Sequence, residues 1–242
     1  MSTSNDDKKE EQEYYQLVHV PAAGGRREVV LESNISIPKN AQGVVTFAHG
    51  SGSSRHSTRN RYVAQVLHNE GIATLLIDLL TEEEEEIDLQ TRHLRFDIGL
   101  LAQRLGGVTD WLIKQNLGSR DFKVGYFGAS TGAAAALVAA AERPNTINAI
   151  VSRGGRPDLA GIDNLQKVQA PTLLIVGGND VPVIDMNKQA LNEMRILKDN
   201  NDNENKRKRL VIVPGATHLF EEPGKLEEVA RLAAEWFAIY LT

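Results

Sequence analysis

One stretch constrains this chain more than any other. In Phe122–Leu137 an apolar run, Phe122 to Phe127, passes directly into a helix-forming run of small residues that begins at Thr131. Ser130 stands at the junction, inside Gly128-Ala129-Ser130-Thr131-Gly132, which fits G-x-S-x-G. A serine at such a strand-to-helix turn is held in strained backbone geometry, its hydroxyl projecting from the end of a sheet. Strand and helix then approach closely on both sides of it, and glycine at Gly128 and Gly132 removes the side chains that would collide. The helix start also brings backbone N–H groups and the positive end of the helix dipole beside the serine. Glycine-rich turns are common, so an acid and a histidine at matching places must distinguish this reading from an ordinary turn.

The rest of the chain reads as strands alternating with helices. Tyr15–Val20 and Glu28–Ile37 suggest two strands around a turn at Ala23-Gly24-Gly25. Continuous apolar runs at Gly43–Ala48 and Ile72–Asp78 suit strands covered on both faces, and Ile147–Ser152, Pro171–Val176 and Leu210–Val213 read as further strands. Helical patterns are expected over about Asn60–Glu70, Phe96–Asn116, Val183–Lys198 and Glu222–Tyr240, and Thr81–Arg95 as a long charged connection. Within it, Glu82–Glu86 reads as a solvated loop or a helix start. This alternation implies a mainly parallel twisted sheet flanked by helices, the α/β class. Residues 1–13 are polar and without apolar period, as in a disordered tail, and 14–242 is expected to form one domain. Lys198–Arg209 splits into an amide-rich acidic half and a basic half and reads as an exposed excursion.

Composition narrows the classes. A chain of 242 residues can bury a core without covalent staples, and it has no cysteine, in keeping with a reducing compartment. The net charge of −5 argues against a general nucleic-acid binder. No apolar run approaches the roughly 20 residues of a membrane span, so a cytoplasmic protein is expected.

A serine hydroxyl becomes a useful nucleophile only when a base removes its proton and a third group orients that base. In an open α/β sheet those partners belong on loops beyond the strand C-termini. Asp180 closes Val176-Gly-Gly-Asn-Asp180 after one late strand, and His218 closes Pro214-Gly-Ala-Thr-His218 after the last. The chain order serine, acid, histidine is the one this architecture requires. Taken alone, Asp180 also suits a helix N-cap, and His218 a structural histidine. The oxyanion is expected to meet two backbone amides, those of Thr131 and of Ser51 on the His49-Gly50-Ser51 loop, with His49 shaping that loop rather than titrating. The loop has neither G-x-x-x-x-G-K-[ST] nor G-x-G-x-x-G, which excludes a nucleotide cradle.

The combination of HGSGSSR, GASTG, SRGGRPDL, APTLLIVGGND and VPGATHLFEEPG resembles the α/β-hydrolase superfamily, and within it the dienelactone-hydrolase-like group, including hydrolase domains fused to phosphoribosyltransferases. The resemblance runs from about Gln16 to the C-terminus. It implies the α/β-hydrolase fold, with Ser130 as nucleophile, Asp180 as orienting acid and His218 as base. Dienelactone hydrolases proper use a cysteine nucleophile. Because this chain has none, the resemblance implies a serine esterase acting through an acyl-enzyme, with no metal or organic cofactor. The short span between Ser152 and Pro171 leaves no room for a large cap. Arginines recur on the loops expected to rim the site, notably Arg55, Arg153 and Arg156, and suit a small ester or lactone carrying an anionic group. Thioesterase, acyltransferase, peptidase or perhydrolase chemistry on the same residues, or a non-catalytic binding role, are the alternatives.

Overall fold

The protein is described by a computed structural model covering residues 15–24, 27–39, 41–115, 122–194 and 207–242. The expected tail, the centre of the first turn and most of the 198–209 excursion lie outside these residues. Eight strands form one sheet: β1 (Gln16–Gly24), β2 (Arg27–Ser36), β3 (Gly43–Ala48), β4 (Ala73–Ile77), β5 (Lys123–Ala129), β6 (Ile147–Arg153), β7 (Thr172–Gly177) and β8 (Lys208–Val213). Their order is β1-β2-β4-β3-β5-β6-β7-β8. β1 with β2 and β2 with β4 pair antiparallel, and every other pair is parallel. Parallel neighbours cannot be joined by tight turns, so helices cross over each face.

The helices are α1 (Thr58–Asn69), α2 (Glu82–Thr91), α3 (Ile98–Lys114), α4 (Thr131–Glu142), α5 (Ile162–Lys167), α6 (Val181–Glu193) and α7 (Lys225–Leu241). Two apolar layers result. Val44 and Ala48 of β3 pack with Leu105 and Val108 of α3 and the alanines of α4. Val45 and Phe47, pointing the other way, pack with Val63 and Leu67 of α1 and with Val229 and Phe237 of α7. That is the period-2 geometry of a strand covered on both faces, and it explains why β3 reads as an unbroken apolar run. In α4 all residues from Thr131 to Ala141 are buried, which only a run of small side chains permits so close to a sheet.

The charged connection contains a helix, α2, so that Glu82–Glu86 is a helix start rather than a loop. Thr81 and Glu84 form a reciprocal capping box, Glu84 N donating to Thr81 Oγ1 at 3.3 Å and Thr81 N to Glu84 Oε2 at 2.9 Å. The acidic run therefore sits in the first turn, where the helix dipole favours it. Glu84 also pairs with the buried Arg104 of α3. Burial opposes ionisation of Glu84, but the Arg104 and Thr81 hydrogen bonds outweigh it and hold the carboxyl below its ordinary range. After α2, Asp88 accepts from Leu94 N at 2.7 Å and Arg95 N at 3.1 Å and pairs with the Arg95 guanidinium, tying a 3₁₀ turn (Leu94–Phe96) to the helix.

Between β6 and β7 the chain makes a 3₁₀ turn, Pro157–Ala160, and the six-residue α5. No large cap covers the sheet. From β3 the chain steps outward to β4, then returns to place β5 on the other side of β3. Loops leaving β3 and β5 thus part at a topological switch point, where open sheets of this kind form a crevice.

Candidate active site

Ser130 follows β5 at that crevice with φ 51° and ψ −119°, a left-handed conformation that non-glycine residues rarely adopt. Hydrogen bonds fix it: Ser130 N donates to Arg153 O at 3.2 Å, and Arg156 N donates to Ser130 O at 3.1 Å. The turn is possible because Gly132 lets α4 press against the end of β3. A Cβ there would lie 2.2 Å from Ala48 O and 2.4 Å from His49 O, both backbone atoms that cannot yield.

Asp180 occupies the N-cap position of α6, yet its side chain makes no capping bond. It turns instead to His218, whose Nδ1 lies 2.6 Å from Asp180 Oδ2. Nδ1 therefore carries the hydrogen and the lone pair falls on Nε2. The Asp180 side chain is 14% exposed and that of His218 38%, so the acid is shielded while the ring reaches solvent. Gly177 permits the meeting: a Cβ there would sit 2.4 Å from Ala216 O and 2.5 Å from Thr217 O. The imidazole lies over Gly154, where a Cβ would be 3.4 Å from both Cε1 and Nδ1 of His218. Gly154 adjoins Arg153, the residue whose carbonyl holds Ser130, so acid, histidine and serine share one end of the sheet.

His49 braces the loop that follows β3. Its Nε2 accepts from Leu79 N at 3.3 Å and its Nδ1 donates to Gly50 O at 3.0 Å, which makes it a structural histidine. The amide of Thr131, first residue of α4, has no carbonyl one turn earlier to bond. The Ser51 amide departs from expectation: it donates to Thr131 Oγ1 at 2.9 Å rather than standing open. Beside it lies a cavity of about 120 Å³, lined by Ser51, Thr131, Leu79, Leu80, Leu89 and Leu101 among others. Two of these wall positions, Leu89 on α2 and Leu101 on α3, could not be assigned from sequence, because nothing local marks α2 as folding back over the β3 loop.

The three arginines part company. Arg55 pairs with Asp78 and Glu32 and donates from Nε to Asn34 at 3.1 Å. Arg156 makes a two-pronged pair with Asp158 at 2.9 and 2.7 Å. In this structure these two find carboxylate partners within the chain. Arg153 does not: it is 7% exposed, and its Nε and Nη1 have no hydrogen-bond partner. Burial, reinforced by the charge of Arg59, lowers its pKa to about 10.

Among the described residues no group of three or more His, Asp or Glu side chains could hold a metal, and no helix is long and apolar enough to cross a membrane. The model of the dienelactone hydrolase family matches residues 31–239, which is most of the chain. The chain belongs to the dienelactone hydrolase family. A dienelactone hydrolase from Anabaena variabilis is 61% identical, with a TM-score of 0.83 over 94% of this chain and 99% of its own. Two Mycobacterium tuberculosis proteins, each provisionally named a phosphoribosyl transferase, are 54% identical over 88% of this chain but only 44% of their own length. The chain thus spans less than half of those relatives. Est1E from Butyrivibrio proteoclasticus, 16% identical with a TM-score of 0.69 over 92% of this chain and 98% of its own, shares the fold. In this member of the dienelactone hydrolase family the turn between β5 and α4 holds serine, and the chain contains no cysteine.

Proposed function

We propose that the protein is a serine hydrolase that cleaves a small carboxylic ester or lactone through an acyl-enzyme. The observation that carries this reading is the 2.6 Å contact between His218 Nδ1 and Asp180 Oδ2, made at the end of the sheet where Ser130 is held at φ 51°. In the first step Ser130 Oγ attacks the carbonyl carbon while His218 Nε2 takes its proton. The tetrahedral adduct expels the alcohol, which leaves with the proton from His218. Water, deprotonated by the same nitrogen, then attacks the acyl carbon, and Ser130 Oγ leaves and recovers the proton. Asp180 stays ionised and holds the ring in the tautomer this needs. No step calls for a metal or an organic cofactor.

The cavity beside Ser51 and Thr131 suits a short apolar group, since one of about 150 Å³ lined by aliphatic side chains holds benzene. Arg153 supports an anionic substituent elsewhere on the substrate, because a buried guanidinium without partners gains most from a carboxylate. The transferase named for the mycobacterial relatives would reside in the part of those proteins outside the match. Labelling by a fluorophosphonate, abolished in Ser130→Ala, tests the nucleophile. A panel of p-nitrophenyl esters, thioesters and anilides then separates esterase from thioesterase or amidase. Wild-type protein that neither labels nor turns over any of them would refute the reading.

A further inference from the structure

The Ser51–Thr131 contact carries a consequence for how the oxyanion is held. Ser51 N–H can only donate, so Thr131 Oγ1 accepts it at 2.9 Å. A hydroxyl that accepts still has its own hydrogen, and Thr131 Oγ1 makes no other hydrogen bond among the described residues. The residue is 3% exposed and stands directly after Ser130, with the cavity next to Ser51 as open space on its surface. A buried hydroxyl hydrogen left without an acceptor is costly unless something arrives to take it.

From this we infer that the Thr131 hydroxyl is itself a catalytic residue: it donates to the oxyanion formed on Ser130, alongside its own backbone amide, and Ser51 acts through it. The inference rests on the proposed acyl transfer at Ser130. As the carbonyl oxygen gains charge, Thr131 Oγ–H points at it, and the Ser51 amide, polarising Oγ1 from behind, makes that hydrogen a better donor. No proton is transferred in this contact: as the adduct collapses, the oxyanion's electron pair re-forms the C=O bond and the leaving oxygen takes its proton from His218. The arrangement also accounts for a polar β-branched residue ahead of five glycine and alanine residues at the start of the helix. Branching leaves the threonine hydroxyl two χ1 positions in a helix, and the Ser51 amide holds it in one of them.

The opposite possibility makes the test sharp. If the hydroxyl merely occupies the Ser51 amide until substrate displaces it, Thr131→Val frees that amide, and the rate stays level or rises. If the hydroxyl is a donor, Thr131→Val, nearly isosteric, loses about 10²–10³-fold in kcat with KM little changed, as for removal of one oxyanion-hole donor. Thr131→Ser then restores most of the rate. A trifluoromethyl ketone, whose hemiketal oxygen takes the oxyanion position, weakens on Thr131→Val by the same factor as kcat/KM falls. A purely structural role would instead lower the melting temperature and raise KM with kcat little changed, and inhibitor binding would weaken only as far as KM rises. Fluorophosphonate labelling rates give the same reading without a known substrate. Equal labelling by wild type and Thr131→Val overturns this inference and leaves the serine hydrolase reading intact. No labelling of wild type at all overturns both.

Discussion

Replacing Arg153 by methionine removes a buried charge while keeping most of the side chain's reach. In the folded protein Nε and Nη1 of this arginine lack partners, and burial together with the neighbouring Arg59 charge lowers the pKa from the ordinary arginine value to about 10. At roughly 1.4 kcal/mol per pKa unit, that difference corresponds to about 3 kcal/mol by which folding disfavours the charged form. The sign is fixed by the direction. A base whose pKa falls on folding carries this penalty at every pH below the folded value, and it fades only as pH rises above about 10. Arg153→Met is therefore expected to be more stable than wild type at neutral pH by about 1–3 kcal/mol, the lower end allowing for lost contacts along the stem. Urea unfolding at pH 7, with an unchanged m-value, measures it. If the guanidinium serves an anionic substrate, the same variant loses its preference for carboxylated over neutral esters. A non-hydrolysable carboxylate at 100 times its Kd would add about 2.7 kcal/mol to wild type and nothing to the variant. A loss of more than about 1 kcal/mol in Arg153→Met would refute the reasoning, since it would mean that the charge is well solvated or paired.

Other perturbations probe the remaining contacts. Asp180→Asn, which cannot hold Nδ1–H in the same tautomer, should lower kcat about 10⁴-fold while leaving fluorescence-monitored stability near wild type, and a drop under tenfold would argue against the acid's role. Gly132→Ala puts a methyl within 2.2 Å of a backbone carbonyl and should cost about 3 kcal/mol or more, read by thermal melting together with loss of labelling. Asp88 lies buried, and although burial opposes its ionisation, the Arg95 and Leu94 hydrogen bonds hold its pKa below 3.8. Its stabilisation is thus complete above about pH 4 and is lost as pH falls through the lowered value. Asp88→Asn should loosen α2 at neutral pH, raising KM for short esters several-fold through Leu89 with kcat little changed, and should flatten the acid limb of the melting-temperature profile.

Much of this protein was written locally. The two-sided apolar runs, the glycines around Ser130, and an acid and a histidine each placed after a late strand follow from short stretches whose chemistry leaves few choices. Strand and helix periods, and the space a backbone needs at a tight crossing, are properties of neighbouring residues. The ends of elements shifted by a few residues where caps outweighed apolar pattern, as at α1, which begins at Thr58 behind Ser57, whose side chain accepts from Asn60 N at 3.3 Å. Other features depend on which distant residue arrives opposite. Helix α2 was one of two readings of the glutamate run, a loop or a helix start, and Arg104 on α3, pairing with Glu84, decides for the helix. Among three similar arginines, Asp78, Glu32 and Asp158 satisfied two, and only the packed structure leaves Arg153 alone. The Ser51 amide, 80 positions from Thr131, is the plainest case. Sequence determines which donors and acceptors a chain owns, but a hydrogen bond is a matter of a few tenths of an ångström between groups that only the folded sheet brings together.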